Sequence, residues 1–303
     1  MSTAATASTS VSASRPGAAA RPAAAPAPRH GSRSWRRHAG RSVFVIVTLV
    51  FFSPVLLSFE LAFRSNTQIN IAPLALPHSL SFANFSTAWT QGSLGTSLLW
   101  SAIIDVVSVL WLTTMGQLLA YYIVRRGNRL GSLLLLYLLV GLAVPYPSRL
   151  LPLYELMLTL HLVGNPLAVM LFQAASLTPL SVLIYRSFLQ RMPLEYEDAA
   201  YVDGAGHYQV LRHVVMPMLW PSTVAVATLT GILIWNDFFT PLLLVGGSSY
   251  STVPVRIYTF VGQYSAQWGD IFAGLTLAAI PVIVVFIVLQ RHLIEGLGSG
   301  LKG

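Results

Sequence analysis

Long apolar runs constrain this chain more than any other feature of its sequence. A helix needs about 20 mainly apolar residues to cross the hydrocarbon core of a bilayer. Six stretches meet that measure: 43–63, 97–124, 131–154, 165–189, 218–244 and 271–290. Only 9% of the residues are charged, whereas a soluble domain carries about 25%. The sequence therefore predicts an all-α integral membrane protein with six transmembrane helices.

The two ends of the chain are predicted to be polar tails. Residues 1–42 are rich in Ala, Ser, Pro and Arg, a composition typical of disorder. The apolar run that follows is too long for the core of a cleavable signal peptide, so we expect it to remain as an anchor. Residues 291–303 form the C-terminal tail, whose ending GLGSGLKG is predicted to be flexible.

The placement of basic residues predicts the orientation of the spans. Basic residues accumulate in the cytoplasmic segments of membrane proteins. If the N-terminus is inside, only Arg64, Arg149 and Arg256 of the 18 basic residues lie outside. Both termini are therefore expected in the cytoplasm. On this interpretation the N-terminal arginines hold the tail inside, and nucleic acid is not an expected partner.

The third apolar run is predicted to be bent. PYPSR, at 145–149, interrupts it near its outer end, and proline disrupts a continuous helix. The segment 155–163 is then expected to form a separate short helix at the outer interface.

The residues that common catalytic and cofactor sites require are missing from the sequence. There is no cysteine, and the only lysine, Lys302, does not belong to a phosphate-binding glycine loop. The seven histidines form no HExxH pair, and no Gly-x-Ser-x-Gly elbow is present. We therefore expect no enzymatic activity, no metal and no cofactor in this chain. Any active transport would draw its energy from a partner or an ion gradient.

An acidic segment interrupts the apolar pattern between the fourth and fifth runs. Four of the chain's ten acids, Glu195, Glu197, Asp198 and Asp203, lie close together there. Acidic residues favour the start of a helix, and a glycine such as Gly204 favours its end. The segment is therefore predicted to begin with a short cytoplasmic helix.

A second short helix, about 207–215, is expected to follow and to end before Pro217. The apolar side of the first helix is predicted to comprise Leu194, Ala199, Val202 and Tyr201. Two interpretations are open: a solvated connector, or a docking element for a cytoplasmic partner. Most connections between helices have about 2–8 residues, so the length of the segment favours docking.

The same residues resemble a known family. EDAAYVDGAGHYQVLRHVVMPMLWP, at 197–221, is similar to the EAA loop of binding-protein-dependent ABC importer permeases. Asp198-Ala199-Ala200 stands at the EAA position, and Met216-Pro217 stands where the family has Leu-Pro. Other segments resemble the maltose/multiple-sugar class: LPLYELMLTLHLVGN (151–165), WNDFFTPLLLV (235–245), VGQYSAQWGDIFAG (261–274) and LQRHLIEGLGSGLKG (289–303). Over residues 43–303 the chain is thus identified as a member of this class, in its smaller six-span form.

The resemblance implies a type I ABC importer permease fold in the cytoplasmic membrane. Its core would span 92–290, with the EAA loop at 191–217, after a first helix and external loop at 43–91. The implied activity is ATP-driven uptake of a sugar or oligosaccharide, or of another polyol-like solute such as a glycerol phosphate. The implied partners are a second permease, two ATPase subunits that bind ATP and Mg, and an external sugar-binding protein. An ATP-independent carrier or channel subunit is the less favoured alternative, because it would not need such a loop.

The resemblance also assigns the acidic segment to ATPase coupling. The first helix would sit in a cleft of one ATPase, and its acids would meet basic or polar groups there. The residues implied in this contact are Leu194, Glu195, Glu197, Asp198, Ala199, Ala200, Asp203, Gly204 and Pro217.

Three acids in or near the spans need an explanation, because charged groups are costly in a membrane. Asp237, with Trp235 and Asn236, offers a carboxylate, an amide and an aromatic ring to a passing sugar. The trio could instead stabilise a kink or the contact between permeases. Asp105 either lines the same pathway or pairs with an internal helix. Glu60, near the outer end of the first span, is expected to be structural.

The last external loop is rich in aromatic residues. Tyr258, Gln263, Tyr264 and Trp268 are candidates for contact with the sugar-binding protein. The alternative is that the aromatic residues anchor the chain at the membrane interface, where tyrosine and tryptophan are common.

Overall fold

The computed structural model describes residues 31–73, 75, 80–261 and 266–300, and these are almost entirely helical. In chain order the helices are α1 (Gly31–Ala62), α2 (Asn66–Ile71), α3 (Ala83–Thr90), α4 (Leu94–Arg126), α5 (Arg129–Ala143), α6 (Tyr146–Thr159), α7 (Pro166–Leu189), α8 (Glu195–Val202), α9 (His207–Val210), a π-helical turn (Leu211–Val215), α10 (Met216–Met218), α11 (Trp220–Trp235), α12 (Phe239–Val245), α13 (Val253–Tyr258) and α14 (Trp268–Gly300). The described residues form no extended sheet, and Val261 and Ala266 make an isolated antiparallel bridge. The all-α prediction is confirmed.

Four helices of the described chain are long and apolar enough to cross a membrane. They are Arg41–Ala62, Leu94–Arg126, Pro166–Leu189 and Trp268–Val288. Two further helix pairs meet the same measure together, but each pair is sharply bent. Six spans result when each bent pair counts as one crossing, which agrees with the six apolar runs of the sequence.

The third run is bent by 105° between Arg129–Ala143 and Tyr146–Thr159. Val144 is extended, with ψ 121°, and Pro145 follows it as the N-cap of α6. A residue before proline disfavours the helical conformation, which places the bend here as predicted. The separate helix expected over 155–163 is wrong, because α6 already begins at Tyr146 and ends at Thr159.

The approach to the fifth span differs from the prediction. The second loop helix does not end before Pro217, because a π-helical turn leads into α10 and places this proline in its first turn. Proline is tolerated there, since a first-turn N–H has no helical acceptor. The bend of 69° falls instead between His207–Met218 and Trp220–Trp235.

The fifth run itself is also interrupted. Helix α11 ends at Trp235, and the N–H of the next residue, Asn236, bonds to the carbonyl of Ile232 at 3.2 Å. Helix α12 begins only at Phe239. The Trp-Asn-Asp motif therefore occupies a break in the span and not a continuous helix.

Both ends carry more helix than expected. Helix α1 begins at Gly31, within the predicted tail, while residues 1–30 lie outside the described residues. Helix α14 continues to Gly300, through part of the ending predicted to be flexible. Extending an existing helix adds one hydrogen bond for each residue that is ordered, which explains how both helices outrun their apolar segments.

The chain divides into two compact units after Ser53. In the first unit the described side chains of α1 are exposed except for the half-buried Thr48; Phe44, for example, is 71% exposed and Phe51 77%. Exposed apolar side chains on a long helix are suited to contact with lipid. All candidate functional residues belong to the second unit, Pro54–Gly303.

Helices α4 and α7 form the central pair of the second unit. They approach closely at Gly116, where an added Cβ would lie 2.6 Å from the Ser181 Oγ. The next residue of α4, Gln117, donates from its amide to the Tyr185 hydroxyl at 3.2 Å and to the Thr223 hydroxyl at 2.7 Å. This buried network joins α4, α7 and α11 on the side of the bundle that carries α8.

Candidate functional site

The turn after α8 has the geometry that its sequence predicts. Gly204 has φ +85°, a left-handed conformation that glycine adopts without strain. Its N–H bonds to the carbonyl of Tyr201, and the N–H of Ala205 bonds to the carbonyl of Ala200, each at 3.0 Å. These two bonds form a Schellman cap, which ends α8 and reverses the chain.

Glu197 faces inward, toward α4. Its carboxylate is 3% exposed and forms an ion pair with Arg125, with 2.7 Å between Nε and Oε1. The hydroxyl of Tyr121 donates to its other oxygen at 2.8 Å, and the Arg125 guanidinium also donates to the carbonyl of Met192 at 3.3 Å. Both oxygens are therefore occupied within the chain, so this acid does not present itself outward as expected.

The rest of α8 and both of its ends are open. The exposed residues are Leu194, Glu195, Tyr196, Asp198, Ala199, Val202 and Asp203, of which Leu194 and Asp198 border the side that faces α4. Val202 is 87% exposed, which is unusual for an apolar residue unless another surface covers it. Tyr201 does not join this apolar side as predicted, because its ring turns inward and its hydroxyl shares a hydrogen bond with the His207 ring. Ala200 is also half-buried against the core.

The segment after Gly204 fixes α8 to the bundle. Val210 and Val215 are fully buried in the same cluster as Leu189 of α7. Pro217 is exposed and belongs to α10, so the structure separates it from the other candidate coupling residues on and beside α8.

A cleft of about 440 Å³ opens between α8 and the end of α4. Its lining residues are Leu118, Tyr121, Tyr122, Arg125, Arg126, Leu194, Glu197, Asp198, Tyr201 and His207. Basic groups of α4 therefore lie beside the acidic face of α8, and the Arg125–Glu197 ion pair forms part of the cleft wall.

Asp237 joins three helical segments. The Tyr146 hydroxyl of α6 donates to its Oδ1 at 2.8 Å, and the Gln173 amide of α7 donates to its Oδ2 at 2.5 Å. Tyr146 also shares a hydrogen bond of 2.6 Å with the hydroxyl of Thr240, in α12. Both carboxylate oxygens are thus engaged at the break of the fifth span.

The neighbours of Asp237 in the motif have different surroundings. Asn236 is exposed, but its side-chain amide donates to the Ile232 carbonyl at 2.8 Å and so caps its own helix. Trp235 is half-buried. The geometry supports the kink interpretation of this motif more directly than sugar contact.

Asp105 lies against α11 instead. Both of its carboxylate oxygens are 3.7 Å from the position that a Cβ on Gly231 would occupy. Its Oδ1 is buried and has no hydrogen-bond partner in the described part of the chain. Ser108, one turn further along α4, and Thr228, one turn before Gly231, also have buried hydroxyls without a partner there. The α4–α11 contact therefore holds polar atoms whose hydrogen-bonding capacity is unused.

Glu60 has a structural partner. Its carboxylate lies 3.6 Å from the guanidinium of Arg64, which is 2% exposed. Arg64 also donates to the carbonyls of Ala72 and Pro73, at 2.8 and 3.0 Å. These contacts hold the segment after α1.

The aromatic residues of the last external loop are only partly described. Tyr258 is 53% exposed and packs edge-on against Phe238, with 5.2 Å between ring centroids. Trp268 is 44% exposed and stacks on Phe272. Gln263 and Tyr264 lie outside the described residues.

Sequence reasoning missed the partners of the two engaged acids. Arg125 and Tyr121 were part of a basic turn and a span, and Tyr146 and Gln173 carried no motif. The only available signal was the spacing of Tyr121 and Arg125, which are four residues apart and therefore share a helix face. Among the described residues, no three His, Cys, Asp or Glu side chains form a group that could hold a metal ion.

The bent spans, together with the short helices α8 and α9 at one end of the bundle, define a multi-pass membrane subunit. Residues 112–298 match the family model described as "Binding-protein-dependent transport system inner membrane component". The chain belongs to this family of transport permeases, and it is a multi-pass protein of the cytoplasmic membrane.

Similar proteins agree with this membership. The chain is 30% identical to the arabinooligosaccharides transport system permease protein of Halalkalibacterium halodurans, over 86% of this chain and 94% of that protein. It is 31% identical to the melibiose/raffinose/stachyose import permease protein of Bacillus subtilis, over 75% of this chain and 83% of the other. It is 26% identical to the multiple sugar-binding transport system permease protein of Streptococcus mutans, over 85% and 95%.

The fold is that of ABC importer permeases. A chain in the crystal structure of a bacterial ABC transporter involved in alginate import matches with a TM-score of 0.72 and 19% identity, over 86% of this chain and 98% of that one. A chain of the MetNI methionine transporter matches with a TM-score of 0.55 and 15% identity, over 67% and 95%. The predicted type I importer fold is confirmed.

Proposed function

We propose that this chain is a permease subunit that moves a sugar or oligosaccharide into the cell, driven by a separate ATPase. Family membership supports the transport role, and the relatives named for arabinooligosaccharides, for melibiose, raffinose and stachyose, and for multiple sugars support the substrate class. The assembly would contain a second permease, two ATPase subunits that bind ATP and Mg, and an external binding protein. Both termini, the basic turn after α4 and α8 would face the cytoplasm.

The observation that carries the coupling proposal is the two-sided character of α8. Glu197 fixes one side of α8 to the bundle, while Asp198, Ala199 and Val202 remain exposed. An exposed helix face with both acidic and apolar residues suits insertion into a partner's groove. Ala199 adds little bulk, which allows close approach. The ATPase subunit is the proposed occupant of this face, and basic groups on it would complement Glu195, Asp198 and Asp203.

The coupling proposal is tested with Ala199→Asp, compared with Gln190→Glu. Ala199 is exposed, so the new carboxylate does not enter the core of the subunit. Gln190→Glu is the matched control, since it adds a carboxylate at an exposed position of the same segment but outside α8. Co-purification of the ATPase and sugar uptake should be lost in the first variant and kept in the second, at equal membrane levels. Normal co-purification with Ala199→Asp would remove the docking role of α8.

Ala200→Asp is a poor test of docking. Ala200 is half-buried against the cluster that contains Val210 and Tyr185. A carboxylate there would disturb the fold of the loop, because an unpaired charge would be buried. A loss of uptake in that variant would not identify the ATPase surface.

For the translocation pathway we propose Asp105 rather than Asp237. Sugar hydroxyls donate hydrogen bonds, and one oxygen of Asp105 has no partner among the described residues. The same holds for the hydroxyls of Ser108 and Thr228 on neighbouring turns. Asp237 already accepts from Tyr146 and Gln173. Trp235 and Asn236 would contribute indirectly, through the break that they maintain in the fifth span.

For the external side we propose that Tyr258 and Trp268 contact the binding protein, together with Gln263 and Tyr264. Their exposed rings support this proposal, since aromatic side chains are enriched at protein interfaces. Cross-linking from a cysteine at position 258 or 268 to the binding protein tests the contact, because the chain has no cysteine of its own. If these cysteines react only with lipid-soluble reagents and do not cross-link to the binding protein, both rings are assigned to membrane anchoring.

The substrate class is tested by screening sugars and polyol phosphates for stimulation of ATP hydrolysis by the assembled transporter with its binding protein. Stimulation by a sugar or oligosaccharide supports the proposal. Stimulation by a glycerol phosphate alone would replace the substrate class and keep the transport mechanism.

A further inference from the structure

The contact between α8 and α4 has the features of a mechanical link. Arg125 and Glu197 meet at 2.7 Å, and their side chains are 14% and 4% exposed. Tyr121 occupies the second carboxylate oxygen at 2.8 Å. We call these contacts among Glu197, Arg125 and Tyr121 the clamp. Both carboxylate oxygens of Glu197 and the Nε of Arg125 have partners within the chain, so the clamp forms without the ATPase.

The clamp attaches α8 to a long unbroken helix. Tyr121 and Arg125 lie one turn apart on the same face of α4, which continues without interruption from Leu94 to Arg126. With a rise of about 1.5 Å per residue, the 20 residues from Arg125 back to Asp105 span about 30 Å. A displacement of α8 applied at Arg125 would therefore reach the level of Asp105 through one rigid element.

The covalent routes from α8 to the other spans are less direct. Toward α7 the chain passes through the turn 190–194, and toward α11 it passes through the cap at Gly204, a π-helical turn and a bend of 69°. Turns and bends absorb displacement, whereas a hydrogen-bonded helix transmits it. The side-chain clamp is thus a more direct connection from α8 to a span than either covalent route.

We infer that Glu197, Arg125 and Tyr121 are positioning residues that transmit movement of the coupling helix to α4, and that Glu197 is not an ATPase contact. This inference rests on the proposed docking of α8. It assigns different tasks to neighbouring acids of the loop: Asp198 meets the partner, and Glu197 carries the resulting displacement into the bundle.

The test uses the complete transporter in proteoliposomes, with Glu197→Gln and Arg125→Ala as single variants. Each should keep the ATPase bound and hydrolysing ATP, while sugar moved per ATP falls by about tenfold, the scale of a typical coupling free energy. Tyr121→Phe removes one hydrogen bond and should have a smaller effect. Arg129→Ala is the control, because this nearby arginine is exposed, lies outside the cleft and forms no ion pair within the described residues.

The double variant Arg125→Glu/Glu197→Arg exchanges the two charges. It tests whether transport requires the ion pair itself or requires each residue for another reason. Recovery of transport above both single variants supports the clamp. Normal transport in both single variants, or an exchange no better than the worse single variant, overturns it. If Ala199→Asp also leaves the ATPase bound, docking has failed; if Ala199→Asp releases the ATPase while Glu197→Gln transports normally, only the clamp has failed.

A second measurement tests the inference even if the single variants do not accumulate in the membrane. Cysteines at positions 125 and 197 can be joined by a short thiol cross-linker, since the native chain has no cysteine. If α8 and α4 move together, the cross-linked pair should transport more than the same pair before linkage. Transport that falls on cross-linking would show that the two helices must separate, which contradicts the inference. The cysteine-free chain treated with the same reagent is the control.

Discussion

Replacement of Asp237 distinguishes a structural carboxylate from a sugar-binding one. Asp237→Ala removes the hydrogen bonds from Tyr146 at 2.8 Å and Gln173 at 2.5 Å. A hydrogen bond between membrane helices contributes about 0.6–1.7 kcal/mol, so the pair accounts for about 1–3 kcal/mol. Gln173 is 4% exposed, so water cannot readily replace the lost acceptor. The variant should therefore unfold at a lower temperature in detergent.

The assay combines thermal unfolding with the concentration dependence of uptake. Asp237→Asn, which keeps one acceptor oxygen, should lose about half as much stability as Asp237→Ala. Adding Gln173→Leu to Asp237→Ala should cost little more, because the shared hydrogen bond is already absent. In all these variants the maximal rate should fall with the amount of folded transporter, while the KM for sugar stays constant. A raised KM with unchanged thermal stability would refute the structural role and return Asp237 to the pathway.

Three further predictions concern Gly204, Gly116 and Asp105. The added Cβ of Gly204→Ala meets no atom within 4 Å, so its cost is the strain of the left-handed conformation, about 1–2 kcal/mol. Uptake and the resistance of the loop to proteolysis should decrease in the order Gly, Asn, Ala at position 204. Equal values for Asn and Ala would contradict the strain argument. Gly116→Ala places a Cβ 2.6 Å from the Ser181 Oγ, and overpacking should lower the unfolding free energy by about 1–3 kcal/mol. Adding Ser181→Gly should recover part of that loss in thermal unfolding, and no recovery would locate the clash elsewhere. Asp105→Leu should raise the KM for sugar more than Asp105→Asn does, at equal thermal stability, because only the amide keeps an acceptor; a matched loss of stability with unchanged KM would make Asp105 structural.

Local features of the sequence predicted the spans and the helix α8 with its turn well, because their causes are local. Apolar length alone located four of the spans, and Pro145 located the bend of the third. The acids at the start of α8 and Gly204 at its end also predicted that helix, since dipole and cap effects act within one turn.

The contacts between residues that are distant in sequence were not predictable in the same way. Glu197 and Arg125 are 72 residues apart in sequence, and Asp237 and Tyr146 are 91 apart. Composition identifies an acid that needs a partner, but it does not identify the partner, because helix rotation and packing decide which side chains meet. Tyr201 illustrates the same limit: its type suits either face of α8, and the hydrogen bond with His207 places it inside.

The number of hydrogen-bond donors around Glu197, Asp237 and Asp105 distinguishes the roles proposed for these acids. Glu197 and Asp237 each have both oxygens engaged by side chains of other helices, so each fixes the relative position of helices. Asp105 has an oxygen that accepts no hydrogen bond from the described residues. An unpaired carboxylate oxygen inside a membrane protein costs free energy. A substrate that donates a hydrogen bond to this oxygen would remove that cost. A hydroxyl-rich substrate would bring such donors. Helix α4 connects the carboxylate that would receive them to Arg125, which pairs with Glu197 of α8. Binding at one end of α4 and ATPase movement at the other would then act on the same rigid helix.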